Sequence, residues 1–248
     1  VNVCLHHAPG YCVNTPPAPE PFSLWSDREA LDALLFQWNT LAERYKGVSG
    51  DRLSFNVVNE PKRVEETVYA SIVREIVMAV QAHNRERWIV ADLVMPGGPM
   101  ESLAGLPRVA QSCRGYNPGL VSHYKAWWAG EQFHPAGAPG WPCPIPERDA
   151  WVDREKLAEN FDRWARLAAD GTGVHCGEFG AYKHTPHKVV LAWTEDLLSV
   201  LRERDIGWAL WNFRGSFGVL DSGRADVAYE DWYGHGLDRS MLRLLQTY

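Results

Sequence analysis

Two acidic residues carry the most chemistry in this chain. Glu178 stands in His175-Cys176-Gly177-Glu178-Phe179-Gly180, at the end of a short apolar run, between two glycines. Glu60 stands 118 positions earlier, in Phe55-Asn56-Val57-Val58-Asn59-Glu60-Pro61, at the end of another such run. Glycine beside a strand end lets backbone and ligand approach closely. A carboxylate placed there is held by a rigid element and faces whatever lies beyond the strand. Two carboxylates at the ends of two parallel strands are what acid/base hydrolysis of a glycosidic bond needs.

The elements that must position these acids alternate along the chain. Apolar runs predict strands at 1–5, 53–58, 88–91, 120–122, 173–176 and 206–211. Helical stripes lie between them. The first, with Leu31, Leu34, Leu35, Trp38, Leu41 and Tyr45, opens on a capping-box spacing of Ser26 and Glu29 and closes at Gly47. Others are read at 65–83, 100–113, 154–170, 187–204 and 238–246. A proline-rich loop runs to Ser26, a long Trp-rich loop spans 126–149, and a Gly/Asp-rich loop spans 213–236. The fold class is therefore α/β, with six strand–helix units whose near-continuous apolar strands suit a parallel sheet covered on both faces. Alternation alone does not separate an open doubly wound sheet from a (β/α)8 TIM barrel. Every chemically interesting residue falls just after a strand, the face on which barrel enzymes keep their sites. No GxGxxG follows a strand, so a dinucleotide site lacks its main support.

Composition narrows the partners. The chain has 248 residues, 46% hydrophobic, with a net charge of −6 and no basic tract, which argues against nucleic acid. No apolar run approaches the roughly 20 residues of a membrane helix. Five cysteines without CxxC or CxxH spacing argue against a zinc site built from them and leave one or two disulfides open. Twelve tryptophans exceed what a core of this size requires, and flat rings left over from a core commonly stack on sugar faces.

Taken in order, several motifs resemble glycoside hydrolase family 5, the retaining β-glycanases that include cellulases and mannanases. They are His6 in Leu5-His6-His7-Ala8-Pro9-Gly10-Tyr11, Asn59-Glu60-Pro61, His123, Gly177-Glu178-Phe179-Gly180, and Trp211 in Trp208-Ala209-Leu210-Trp211-Asn212-Phe213. The resemblance covers essentially the whole chain, from the third strand of the family's barrel onward. It implies a (β/α)8 barrel with Glu60 as general acid/base and Glu178 as nucleophile, their carboxyl groups about 5 Å apart. Asn59 would bond the sugar 2-hydroxyl. His6 and His123 would line the cleft, and Trp211 would lie beneath the sugar, followed by a cis peptide bond to Asn212. The family's His-x-Tyr, whose Tyr touches the nucleophile, is read onto His123-Tyr124, with the Tyr one position early; adjacent residues of an extended strand face opposite ways. The substrate implied is a β-1,4-linked polysaccharide, cellulose or β-glucan first and mannan next, with no cofactor and no metal. A secreted or periplasmic location is likewise implied.

The resemblance also defines what is missing. The first two barrel units are absent, and with them the family's arginine beside the nucleophile. Residues 1–248 thus read as a single catalytic barrel domain, N-terminally incomplete, which would expose strand edges and self-associate through them. Two other readings compete. One is a carbohydrate-binding remnant without turnover. The other is a metal-dependent hydrolase using His6, His7, His123, His175 and Asp92.

Overall fold

The computed structural model describes residues 1–14, 20–145 and 150–248; parts of the expected proline-rich and Trp-rich loops, at 15–19 and 146–149, lie outside the described residues. The chain divides into two compact units, Val1–Cys113 with Arg166–Val174, and Arg114–Ala165 with His175–Tyr248.

The first unit begins with β1 (Asn2–Cys4) and a two-stranded hairpin, β2 (His7–Ala8) and β3 (Tyr11–Cys12). There follow α1 (Arg28–Arg44), β4 (Ser54–Asn56), α2 (Glu66–Gln81), β5 (Trp88–Asp92) and β6 (Val109–Arg114). The parallel register brings Val3 opposite Phe55, Phe55 opposite Ile89, and Ile89 opposite Val109, so one row of apolar side chains crosses four strands. Against that sheet α1 buries Leu31, Leu34, Trp38 and Ala42, and α2 buries Tyr69, Ile72, Val73, Ile76 and Val80. These are the i, i+3, i+4 stripes read from the sequence. The indole of Trp38 meets Phe55 at 5.1 Å and donates to the Val57 carbonyl at 3.2 Å, so its polar atom is satisfied in the core.

The turn after α1 is held by Arg87, which is 1% exposed. Its guanidinium donates to the carbonyls of Tyr45, Val48, Ser49 and Leu53 and lies over the Phe55 ring. The expected capping box on Ser26 and Glu29 is replaced. Asp27 is the N-cap of α1, and its carboxylate accepts from the Ser23 N–H at 2.6 Å.

The second unit contains α3 (Gly119–Ser122), the antiparallel pair β7 (Cys143–Ile145) and β8 (Ala150–Val152), α4 (Arg154–Ala169), β9 (Gly173–Phe179) and α5 (His187–Glu203). It ends with β10 (Gly207–Leu210), the hairpin of β11 (Glu230–Trp232) and β12 (His235–Leu237), and α6 (Arg239–Thr247). Its core gathers Cys176, Phe179, Trp193, Leu197, Leu198 and Leu201, all fully buried. The Asp238 carboxylate caps α6 by accepting from the Met241 N–H at 3.0 Å.

Six strands run parallel in the hydrogen-bonded order β1-β4-β5-β6-β9-β10. The number expected is present, but the fourth strand is elsewhere. Residues 100–113, read as a weak helix, form a 3-10 turn, Glu101–Leu103, and most of β6. Residues 120–122, read as a strand, belong to the short helix α3. A three- or four-residue apolar run does not distinguish the two states. Among the described residues no helix is long and apolar enough to cross a membrane, and none of the five cysteines is joined in a disulfide.

Candidate active site

Glu60 follows β4 by four residues and precedes α2, so it sits in a strand-to-helix loop. Its φ is 46°, a left-handed conformation that a side chain with a Cβ adopts at a cost, and such residues persist only where neighbours fix them. Two neighbours do. The carboxylate of Asp92, at the end of β5 and fully buried, accepts from the Glu60 N–H at 2.9 Å and from the Asn56 side-chain amide at 3.1 Å. The Tyr11 hydroxyl donates to the Glu60 carbonyl. Burial of that phenol, more than any charge near it, raises its pKa well above the usual tyrosine value, so it remains a donor. The loop backbone is thereby clamped while the Glu60 side chain is half-buried. Asn59 is 2% exposed, and its N–H donates to the Leu5 carbonyl at 3.0 Å. His6 is exposed at the end of β1, and His7 pairs with Glu20 at 2.6 Å.

Glu178 lies near the C-terminal end of β9, with its side chain 13% exposed. Both of its oxygens are engaged by one tripeptide, Arg114-Gly115-Tyr116, that leaves the end of β6. The Tyr116 hydroxyl donates to Oε2 at 3.0 Å, and an Arg114 guanidinium nitrogen lies 3.5 Å from Oε1 with its side chain 7% exposed. Residues i and i+2 of extended chain face the same way, which places Arg114 and Tyr116 together. Gly115 between them donates its N–H to the Glu178 carbonyl at 2.8 Å. A Cβ on Gly115 would lie 2.8 Å from the Phe179 Cβ and 2.9 Å from the Cys176 sulfur, so no larger residue fits. An arginine this close favours the ionised form of the carboxylate.

His123 is the C-terminal neighbour of α3. Its Nδ1 lies 2.8 Å from the Ser122 hydroxyl, and its ring packs on Tyr116 at 5.0 Å and on Phe217 at 6.0 Å. It therefore backs the tyrosine that holds Glu178. Tyr124 is 4% exposed, with Lys125 over its ring, and the tyrosine on Glu178 is Tyr116. The tyrosine in contact with Glu178 is thus Tyr116, two residues after Arg114, and not Tyr124. Sequence reasoning missed Arg114 and Tyr116 because it placed the fourth strand at 120–122. The signal available was the Gly-Tyr pair that follows Val109–Arg114. Trp211 is 36% exposed just beyond β10, its N–H donates to the Phe179 carbonyl at 2.7 Å, and its peptide bond to Asn212 is cis, as the resemblance implies. Among the described residues no three His, Cys, Asp or Glu side chains are grouped to hold a metal ion, so the set His6, His7, His123, His175 and Asp92 offers no such site there.

Carboxylates at or just past the C-terminal ends of parallel strands stand where barrel enzymes keep their catalytic groups. Residues 3–216 match the cellulase family, glycosyl hydrolase family 5, and the chain belongs to that family as a glycosidase with a fold of the (β/α)8 type, six units of which are present. Endoglucanase C of Acetivibrio thermocellus and endoglucanase C307 of a Clostridium species are each 23% identical over 249 aligned positions, which span 91% of this chain and 71% of theirs. A crystal structure of a glycoside hydrolase superposes with a TM-score of 0.90 at 37% identity, covering 98% of this chain and 74% of that one. Thermotoga maritima Cel5A, solved with cellobiose, superposes at 0.71 with 23% identity over 90% of this chain and 68% of its own. That last likeness concerns the fold alone.

Proposed function

We propose that the chain acts as one catalytic domain, a retaining endo-type glycosidase cleaving β-1,4-linked glucan, with Glu178 as nucleophile and Glu60 as general acid/base. The observation that carries this reading is the clamp on Glu178. A nucleophilic carboxylate must be anionic and fixed in direction, and Arg114 and Tyr116 supply charge and geometry to separate oxygens. In the first step Glu178 bonds to the anomeric carbon while the glycosidic C–O bond breaks and Glu60 gives its proton to the departing oxygen. In the second, water loses a proton to Glu60 as it displaces Glu178, and the anomeric configuration is retained. Asn59 binds the 2-hydroxyl, His6 lines the site, Trp211 stacks beneath the ring, and His123 supports Tyr116. Endoglucanases among the relatives favour glucan, and Thermotoga maritima Cel5A, also solved with mannotriose, makes mannan the next candidate.

The remnant reading rested on the lack of an arginine beside the nucleophile. Arg114 stands there, which favours turnover. The test is reducing-sugar release from soluble β-glucans and mannans, with the product anomer followed by NMR. The wild-type chain is expected to release sugar of retained configuration and Glu178→Gln to lose at least about 1000-fold in kcat. Inverted product, or a Glu178→Gln variant of near-normal activity, would overturn the assignment.

A further inference from the structure

Glu60 occupies a backbone conformation that its own sequence opposes. It precedes Pro61, and a residue before proline is driven to extended backbone, with φ about −120°. Glu60 instead has φ 46°, in the left-handed region, where a side chain with a Cβ carries a steric cost. Relaxation from the second state to the first would swing Cβ, and the carboxyl beyond it, out of its present direction.

Main-chain bonds tie down the residues on either side. The Asn59 N–H donates to the Leu5 carbonyl at 3.0 Å, and the Met95 N–H donates to the Pro61 carbonyl at 2.7 Å. These bonds set the course of the loop but involve neither backbone polar group of Glu60. Two side chains hold those. The Asp92 carboxylate accepts from the Glu60 N–H at 2.9 Å, and the Tyr11 hydroxyl donates to the Glu60 carbonyl. Each peptide group is planar, so holding the plane before Cα and the plane after it fixes the Cα–Cβ bond between them.

Each holder is itself braced. Asp92 is fully buried at the end of β5, and its other oxygen accepts from the Asn56 side-chain amide at 3.1 Å. That amide also donates to the Val90 carbonyl at 3.0 Å. The Tyr11 ring meets Trp25 at 4.6 Å, and the Gly10 N–H beside it donates to the Glu20 carboxylate at 2.7 Å.

We infer that Asp92 and Tyr11 are positioning residues for proton transfer by Glu60, holding it together in a backbone state from which it would otherwise relax. The inference rests on the acid/base role proposed for Glu60. A misdirected acid costs most where the departing oxygen needs a proton, and least where that oxygen leaves as a stable anion. The loss therefore grades with the basicity of the leaving group, which a general loosening of the fold would not do.

The experiment measures kcat/KM for phenyl and 2,4-dinitrophenyl β-cellobioside with wild type, Tyr11→Phe, Asp92→Asn, the double variant and Glu60→Gln. Tyr11→Phe keeps the ring and deletes one hydroxyl, and Asp92→Asn keeps the shape but sets an NH2 group against one of two donors. Each single variant is expected to lose about 100-fold on the phenyl substrate, the cost of a misaligned reacting group, and no more than about fivefold on the dinitrophenyl one. The double variant should lose little more than the worse single, because one released peptide plane already frees Glu60. Equal losses on the two substrates would make the residues merely structural and overturn the inference. Additive losses in the double variant, or wild-type activity in Tyr11→Phe, would overturn it too. Should Asp92→Asn fail to fold, Tyr11→Phe decides. Failure of the catalytic reading shows separately, as a Glu60→Gln variant that loses equally on both substrates.

Discussion

At the scale of the residue, the Arg114 guanidinium and the Tyr116 hydroxyl divide the two oxygens of Glu178 between them. Their contributions differ in kind. Tyr116 fixes direction, whereas Arg114 also brings a permanent charge. Arg114→Gln is expected to lower kcat about 100-fold, the cost of a misaligned reacting group, and to move the acid limb of the pH–rate profile to higher pH. Arg114→Lys keeps the charge and should restore the limb while recovering only part of kcat. A Gln variant with an unmoved acid limb would count against the charge. The two acids were legible in the sequence because each ends an apolar run beside residues with special backbone demands. The clamp was not, since the strand that carries it, β6, was read as part of a helix. Nor could Asp92 be seen as the residue that fixes Glu60, because its partners come from β4 and the loop after it.

At the scale of the element, legibility followed burial pattern. The stripes of α1, α2 and α5 read correctly because each buries one continuous face. Strand β6 read wrongly because its centre is polar. Gln111 and Ser112 are buried there, and the Gln111 amide satisfies both the N–H and the carbonyl of Met100, at 2.7 and 2.8 Å. A polar pair inside a strand breaks the apolar run on which the reading depends. Arg87 shows the same economy in a turn, where one buried side chain serves four carbonyls. Arg87→Met should therefore cost roughly 3 kcal/mol, since those carbonyls lose a charged donor within the core. Arg87→Lys, with no planar fork, should recover less than half of it. Guanidinium unfolding checks both, and a loss for Arg87→Met below about 1 kcal/mol would show the carbonyls satisfied by other means.

At the scale of the molecule, one contribution to stability that acid should remove lies in the Gly/Asp-rich loop. Asp221 ties that loop to the β11–β12 hairpin: it accepts from the Gly236 N–H at 2.8 Å, pairs with His235 at 2.8 Å and accepts from Arg214 at 2.6 Å. The Gly236 hydrogen bond foremost, then His235 and Arg214, hold its pKa below the ordinary 3.8. A folded-state pKa that is depressed gives stability present above the unfolded value and lost as pH falls through the folded one. Thermal melting should thus weaken from about pH 4 downward, and Asp221→Asn should be less stable near neutrality and flatter across that window. Equal acid slopes in both proteins would place the sensitivity elsewhere. The alternation of strands and helices was legible over the whole chain; the division into two compact units was not, because it cuts through β6, α4 and β9 instead of falling in a linker. Neither unit is a continuous stretch of polypeptide. On the ribosome, the first unit waits for Arg166–Val174 while residues 114–165 emerge, a delay of roughly 3–10 s at about 5–20 residues per second. Through that interval its newly made strands lack the segment that completes the unit and are open to pairing with other chains, and slower translation of residues 114–165 would lengthen the exposure.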